Sequence, residues 1–147
     1  MSTFSDAIDI STTPEAAFEA ISHLEAMGKF SPENTGGHWL KGASGPGLGV
    51  KFRGTNSLGK DNWSTLVTIV AYDVPRSFAF EVSVGPVKVS RWDYAIEPTA
   101  TGCRVTESWI DRRSSFAKKF SKGVDREEYT KTSIRTTLEN LKAHLEI

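Results

Sequence analysis

The sequence predicts an α+β fold: a seven-stranded curved antiparallel sheet wrapped around a long C-terminal helix, with a short helical segment after the first strand. Three observations carry this. Alternating apolar and polar residues recur in short runs from residue 38 to residue 111, the gaps between these runs are too short to hold a crossover helix, and the chain ends in a pattern of three- and four-residue apolar spacing. Without crossover helices a parallel sheet is excluded, and neighbouring runs join as hairpins or meanders.

The first strand spans residues 4–10, with Phe4, Ile8 and Ile10 on one side. A threonine cap, Pro14 at the first helical position and Glu15 in the first turn then open a helix, and Ala17, Phe18, Ile21 and Leu24 give it one apolar face over residues 14–24. Ser31–Pro32 and Gly36–Gly37 break the chain. Six further strands are expected at 38–40, 50–56, 63–72, 77–84, 87–97 and 103–111, punctuated by glycine, proline and asparagine or aspartate turns. Residues 112–122 are basic, with five lysines and arginines and no acidic residue. Past Gly123, the acidic residues Asp125, Glu127 and Glu128 suit the positive end of a helix, and Ile134, Leu138, Leu141 and Leu145 form its apolar stripe.

Composition excludes several function classes. The 147 residues are of ordinary domain size, and lysine plus arginine balance aspartate plus glutamate at 18 each, so no basic footprint points to nucleic acid. The single cysteine, Cys103, permits no internal disulfide. The first residues lack the basic and apolar regions of a signal peptide, and no apolar run reaches the roughly 20 residues of a membrane span. The expectation is a cytoplasmic protein. His23, His38 and His144 show no metal-ligand spacing, so no metal and no cofactor is implied. Residues 42–49 (GASGPGLG) look like a phosphate loop but lack its lysine and are followed by a strand rather than a helix, which removes the anion site. No Gly-x-Ser-x-Gly elbow is present.

The element order, together with particular segments, resembles the START-like, Bet v 1-like (SRPBCC) superfamily, and most closely its polyketide cyclase/dehydrase and lipid-transport branch. The segments are residues 8–18 (IDISTTPEAAF), Ser31–Pro32, 49–56 (GVKFRGTN), Trp63, 73–80 (DVPRSFAF), 90–94 (SRWDY) and 102–109 (GCRVTESW). The resemblance runs from about residue 4 to residue 145. It implies the helix-grip fold, one ligand-binding domain over residues 1–147, an internal cavity for a small hydrophobic molecule, and a glycine-rich loop near the cavity mouth. It does not by itself separate carriers from enzymes, since one fold hosts many activities.

Alternation assigns the inward-facing residues. Phe52, Phe78, Phe80, Trp92, Tyr94 and Trp109 surround one space, and Trp63 joins them if its strand, apolar on both faces, is in that phase. Ile134 and Leu138 close it from the helix. Two polar residues, Asn56 and Glu107, share the inward phase. A buried carboxyl costs several kcal/mol unless paired or protonated, so Glu107 needs either a structural partner such as Tyr94, Trp63 or the last helix, or a role toward a ligand. Three functions follow: a carrier for a lipid-like or aromatic molecule, oriented by Glu107, Asn56 and Tyr94; a cyclase or dehydratase with Glu107 as acid or base; or a homodimeric interaction module using the outer face of the 63–72 strand. The basic segment 112–122 reads either as a solvated connector or as a gate that touches an anionic membrane.

Overall fold

The computed structural model describes residues 3–114 and 126–146. Seven strands form one antiparallel sheet in the order β1-β7-β6-β5-β4-β3-β2. They are β1 (Thr3–Ile10), β2 (Asn34–Trp39), β3 (Lys51–Leu58), β4 (Asp61–Asp73), β5 (Ser77–Val84), β6 (Val87–Thr99) and β7 (Gly102–Asp111). Helix α1 (Pro14–Ser22) follows β1, a 3₁₀ turn spans Leu24–Lys29, and α2 (Arg126–Leu145) closes the chain. From β2 through β7 each strand pairs with the next, and β1 then adds to the far side of β7. The helix-grip fold expected from the sequence is therefore the fold observed.

Local signals explain the elements. The Thr13 side chain accepts from the Ala16 N–H at 3.1 Å, capping α1, and Pro14 occupies the first turn where its missing donor costs nothing. The expected 14–24 helix ends two residues early, because His23 leaves helical geometry and the 3₁₀ turn carries Leu24 and Met27 into the core separately. On the concave face the inward residues line up in rows across the strands. One row runs Ile69, Phe80, Trp92, Trp109, Phe4; the next runs Tyr72, Phe78, Tyr94, Glu107, Asp6. A bulge between Ile69 and Ala71 resets the alternation of β4, so that Trp63, Thr65, Val67 and Ile69 and, beyond the bulge, Tyr72 all serve one face. That shift is why Tyr72 falls in the opposite phase to Trp63, Val67 and Ile69 in the sequence.

Among the described residues, side chains fill the concave face at one end. Phe18 and Ile21 of α1 and Ile134, Leu138 and Leu141 of α2 pack there against Phe78, Ile96, Val105 and Cys103. Phe78 sits at the centre of this cluster, with Phe18 at 6.0 Å and Tyr94 at 6.4 Å between ring centroids. Helix α2 is tied along its length: Arg135 to Asp6 of β1 at 3.2 Å, the Lys142 ammonium to the Asp9 carbonyl at 2.9 Å, and the Asn140 amide to the Phe30 carbonyl at 2.8 Å. At its start Arg126 pairs with Glu33 at 2.7 Å. The basic segment lies mostly outside the described residues, as do Gly123 and Asp125. Its first residues are held down, with Arg112 on Glu81 at 3.3 Å and Arg113 on Asp111 at 2.9 Å.

Candidate functional site

At the other end of the grip, between the sheet and the first half of α2, lies a cavity of about 260 Å³. Its sheet wall is largely aromatic and aliphatic: Trp63 and Val67 of β4, Phe80 and Val82 of β5, Trp92 and Tyr94 of β6, and Trp109 of β7. Its helix wall is not. Thr130, Ser133 and Thr137, at spacings of three and four, put hydroxyl-bearing residues along the side of α2 that faces it. Asn56, Thr65, Ser90 and Glu107 add further polar groups. Met27 of the 3₁₀ turn closes one flank, and the partly exposed pair Glu33 and Arg126 stands at the rim. The Arg126 guanidinium lies 6.0 Å from the Trp63 ring and 5.3 Å from the Tyr129 ring, so it bridges sheet and helix there.

Of the residues expected around the space, Asn56, Trp63, Phe80, Trp92, Tyr94, Glu107 and Trp109 lie on this wall. Four do not, and these expectations are corrected. Phe52 turns its ring edge-on to Trp39, centroid to centroid 5.0 Å, and is 1% exposed beneath β2. Phe78 is sealed under α1. Ile134 and Leu138 are fully buried in the filled end. The physical reason is that alternation tells which face a residue is on, but not how far along the grip it lies: Phe78, Ile134 and Leu138 gather where the two helices meet the sheet, and Phe52 where Trp39 of β2 covers it. The glycine-rich loop at 42–49 contributes nothing to the wall either. His38 is exposed and also off it.

Sequence reasoning missed the hydroxyl side of α2, because threonine and serine beside a leucine stripe look like solvent-facing positions. Asp111 was within reach of it. It continues the Val105, Glu107, Trp109 alternation, is 1% exposed, and binds Arg113, which reaches the cavity wall.

Glu107 is the chemical centre of the wall. It is 2% exposed, and its Oε2 accepts the Tyr94 hydroxyl at 2.8 Å. Its Oε1 has no hydrogen-bond partner among the described residues. Burial drives its pKa from 4.5 up to about 8; the Tyr94 hydrogen bond opposes this, and the neighbouring Asp6 charge adds to it. Burial likewise pushes the Tyr94 phenol well above its ordinary value, with the adjoining Glu107 reinforcing the shift. At neutral pH the pair is thus a phenol hydrogen-bonded to an uncharged carboxylic acid. It can donate or accept hydrogen bonds, and it carries a proton that can be given up.

One curved antiparallel sheet gripping a C-terminal helix, with a cavity left between them, defines the START-like, Bet v 1-like class. Within that class the chain belongs to the family described as polyketide cyclase/dehydrase and lipid transport, which matches residues 1–146. Among solved structures, the chain is similar to the polyketide-cyclase-like protein Cgl2372 from Corynebacterium glutamicum, at 27% identity and a TM-score of 0.65 over 98% of this chain and 91% of that one. Protein CV1439 from Chromobacterium violaceum shares 11% identity with a TM-score of 0.75, covering 99% of this chain and 98% of its own. Ara h 8.0201 shares 15% with a TM-score of 0.69, covering 98% and 97%. The last two likenesses speak to the fold alone. No curated protein matches the chain. Among the described residues, no helix is long and apolar enough to cross a membrane.

Proposed function

We propose that the chain binds and carries a small hydrophobic molecule in the cavity between its sheet and α2, as one ligand-binding domain. The observation that carries this reading is the cavity of about 260 Å³ at one end of an otherwise tightly filled core, walled by Phe80, Trp92 and Trp109. Interiors normally pack to crystal-like density, so an unfilled space of this size beside a filled one is costly unless something occupies it. Burying ligand surface there yields about 25 cal/mol per Å², and Tyr94, Glu107 and Asn56 orient what enters. Membership of a family that includes lipid transport supports the same reading. The test is native mass spectrometry of the purified protein followed by denaturing extraction. A co-purified apolar molecule supports it. An empty protein that ignores a panel of fatty acids, sterols and aromatic polyketides refutes it.

A second reading, catalysis of a cyclase or dehydratase kind, is favoured by one observation. A carboxyl whose pKa stands at about 8 is poised near neutral pH to move a proton to or from a carbonyl compound. Under this reading Glu107→Gln removes turnover of a polyketide-like carbonyl substrate while leaving binding in place. Under the carrier reading no turnover is seen with either form.

A further inference from the structure

Helix α2 is fastened to the rest of the molecule in two different ways. Along its middle and end, Arg135 holds Asp6, Asn140 the Phe30 carbonyl and Lys142 the Asp9 carbonyl, and none of these residues borders the cavity. That fastening is backed by Ile134, Leu138 and Leu141 in the core. At its start, Arg126 donates from Nη1 to Oε2 of Glu33 at 2.7 Å, and both side chains border the cavity while keeping contact with solvent, 26% and 20% exposed. The guanidinium also rests against two rings, 6.0 Å from the Trp63 centroid and 5.3 Å from that of Tyr129. The helix residues that border the cavity beside it, Thr130 and Ser133, carry no large apolar side chain.

The two ends of this bridge differ in freedom. The Glu33 carbonyl accepts the Ser57 N–H of β3 at 2.9 Å, and the next residue opens β2, so Glu33 is pinned to the sheet. Arg126 rides on the first turn of α2, whose next residues, Glu127 and Glu128, are exposed. A partly exposed ion pair and a cation on a ring are each weak contacts, enough to keep a junction closed most of the time and too weak to keep it closed always. Occupation of the cavity alters the balance. An apolar molecule displaces water from the inner side of the pair, and in the lower dielectric the opposite charges attract more strongly. The bridge therefore closes more firmly over a filled cavity than over an empty one.

Resting on the reading that the cavity takes a ligand, we propose that Arg126 and Glu33 are a latch on that cavity. The start of α2 swings off Glu33 to let a molecule pass, the guanidinium leaves Trp63 in the same movement, and Ile134, Leu138 and Leu141 stay in the core as the pivot. The ion pair thereby sets how long an uncharged ligand stays inside, whatever its chemical kind.

The test uses the full chain and N-phenyl-1-naphthylamine, an uncharged fluorophore excited by energy transfer from the tryptophans that border the cavity. Its release into excess cyclodextrin is followed by stopped flow. Raising sodium chloride from about 20 mM to about 500 mM should speed release from the native chain about two- to threefold, because part of the pair lies in screening solvent. Arg126→Glu and Glu33→Arg, each setting like charges face to face, should release the fluorophore about tenfold or more faster. The double reversal restores the pair without its Trp63 contact and should bring release back to within about threefold of native. A second readout needs no ligand. In the free chain, amide exchange at Thr130 and Ser133 should quicken in either single reversal and recover in the double, with Leu138 and Leu141 unchanged. Release that ignores salt and is as fast in the double reversal as in the singles would overturn the latch while leaving binding in place, and so would exchange at Thr130 indifferent to all the variants. Where the cavity refuses this fluorophore but extraction of the purified protein finds another molecule, the exchange result decides. If the fluorophore does not bind and extraction finds nothing, the carrier reading falls and the latch with it.

Discussion

A carboxyl two residues before a tryptophan, in the inward phase of a strand, is an expensive choice, and Glu107 makes the expense measurable. Below about pH 4.5 its carboxyl is protonated in folded and unfolded chains alike. Between about pH 4.5 and about pH 8 the unfolded chain ionises and the folded one does not. Stability therefore falls as pH rises through that window, and the loss is complete above it. At about 1.4 kcal/mol per pH unit the full effect is on the order of 5 kcal/mol. Urea denaturation of the native chain and of Glu107→Gln at a series of pH values should show the native chain losing ground to the variant from pH 5 to pH 8; parallel curves would contradict the buried acid. Tyr94→Phe removes the one hydrogen bond that the carboxyl makes among the described residues, and that bond lowers its pKa. Its expected cost is about 1–2 kcal/mol, with the ionisation of Glu107 moved higher, which a carbon-13 titration of the side chain would read directly. Glu107 was legible in the sequence because alternation exposes a polar residue in an apolar phase. Its unpaired oxygen was not, since that depends on which neighbour reaches it across 2.8 Å.

At the scale of elements, α2 divides its sheet-facing surface between two duties. Ile134, Leu138 and Leu141 fill the core, while Thr130, Ser133 and Thr137 border the cavity. Leu138→Ala is expected to cost about 2–5 kcal/mol in chemical denaturation while leaving ligand affinity at most slightly changed. Thr137→Val, nearly the same shape without the hydroxyl, should do the reverse, altering affinity with little loss of stability. Strand β2 depends on Gly37, whose φ of +142° suits glycine and where a Cβ would collide with the Arg53 carbonyl oxygen and the Phe52 ring. Gly37→Ala should destabilise the β2–β3 pairing, seen as faster amide exchange at Gly54 and Thr55, which pair with Gly37 and Gly36. The strands and the capped start of α1 were readable because local rules govern them: alternation, turn residues and a threonine before a proline. The bulge in β4 was not readable, because an extra residue in a ladder is fixed by the partner strand rather than by the strand's own sequence.

At the scale of the whole molecule, the sheet, the start of α2 and the segment before β2 meet at the rim through Arg126, Glu33 and Trp63. Arg126→Met should loosen this junction and speed ligand release more than it changes the association rate, a difference that stopped-flow tryptophan fluorescence can follow because Trp63, Trp92 and Trp109 all border the cavity.

The sequence by itself determined the number and order of strands, the two principal helices, the inward phase of most strands and the presence of a polar residue in that phase, because each is a local or periodic property of the chain. Only the tertiary structure decided how the concave face is shared. It placed Phe52, Phe78, Ile134 and Leu138 in the packed part and opened a cavity beside Trp63, Trp92 and Glu107. That division depends on where α1, α2 and the β2 edge come to rest against the rest of the sheet, a long-range outcome that no periodicity along the chain encodes.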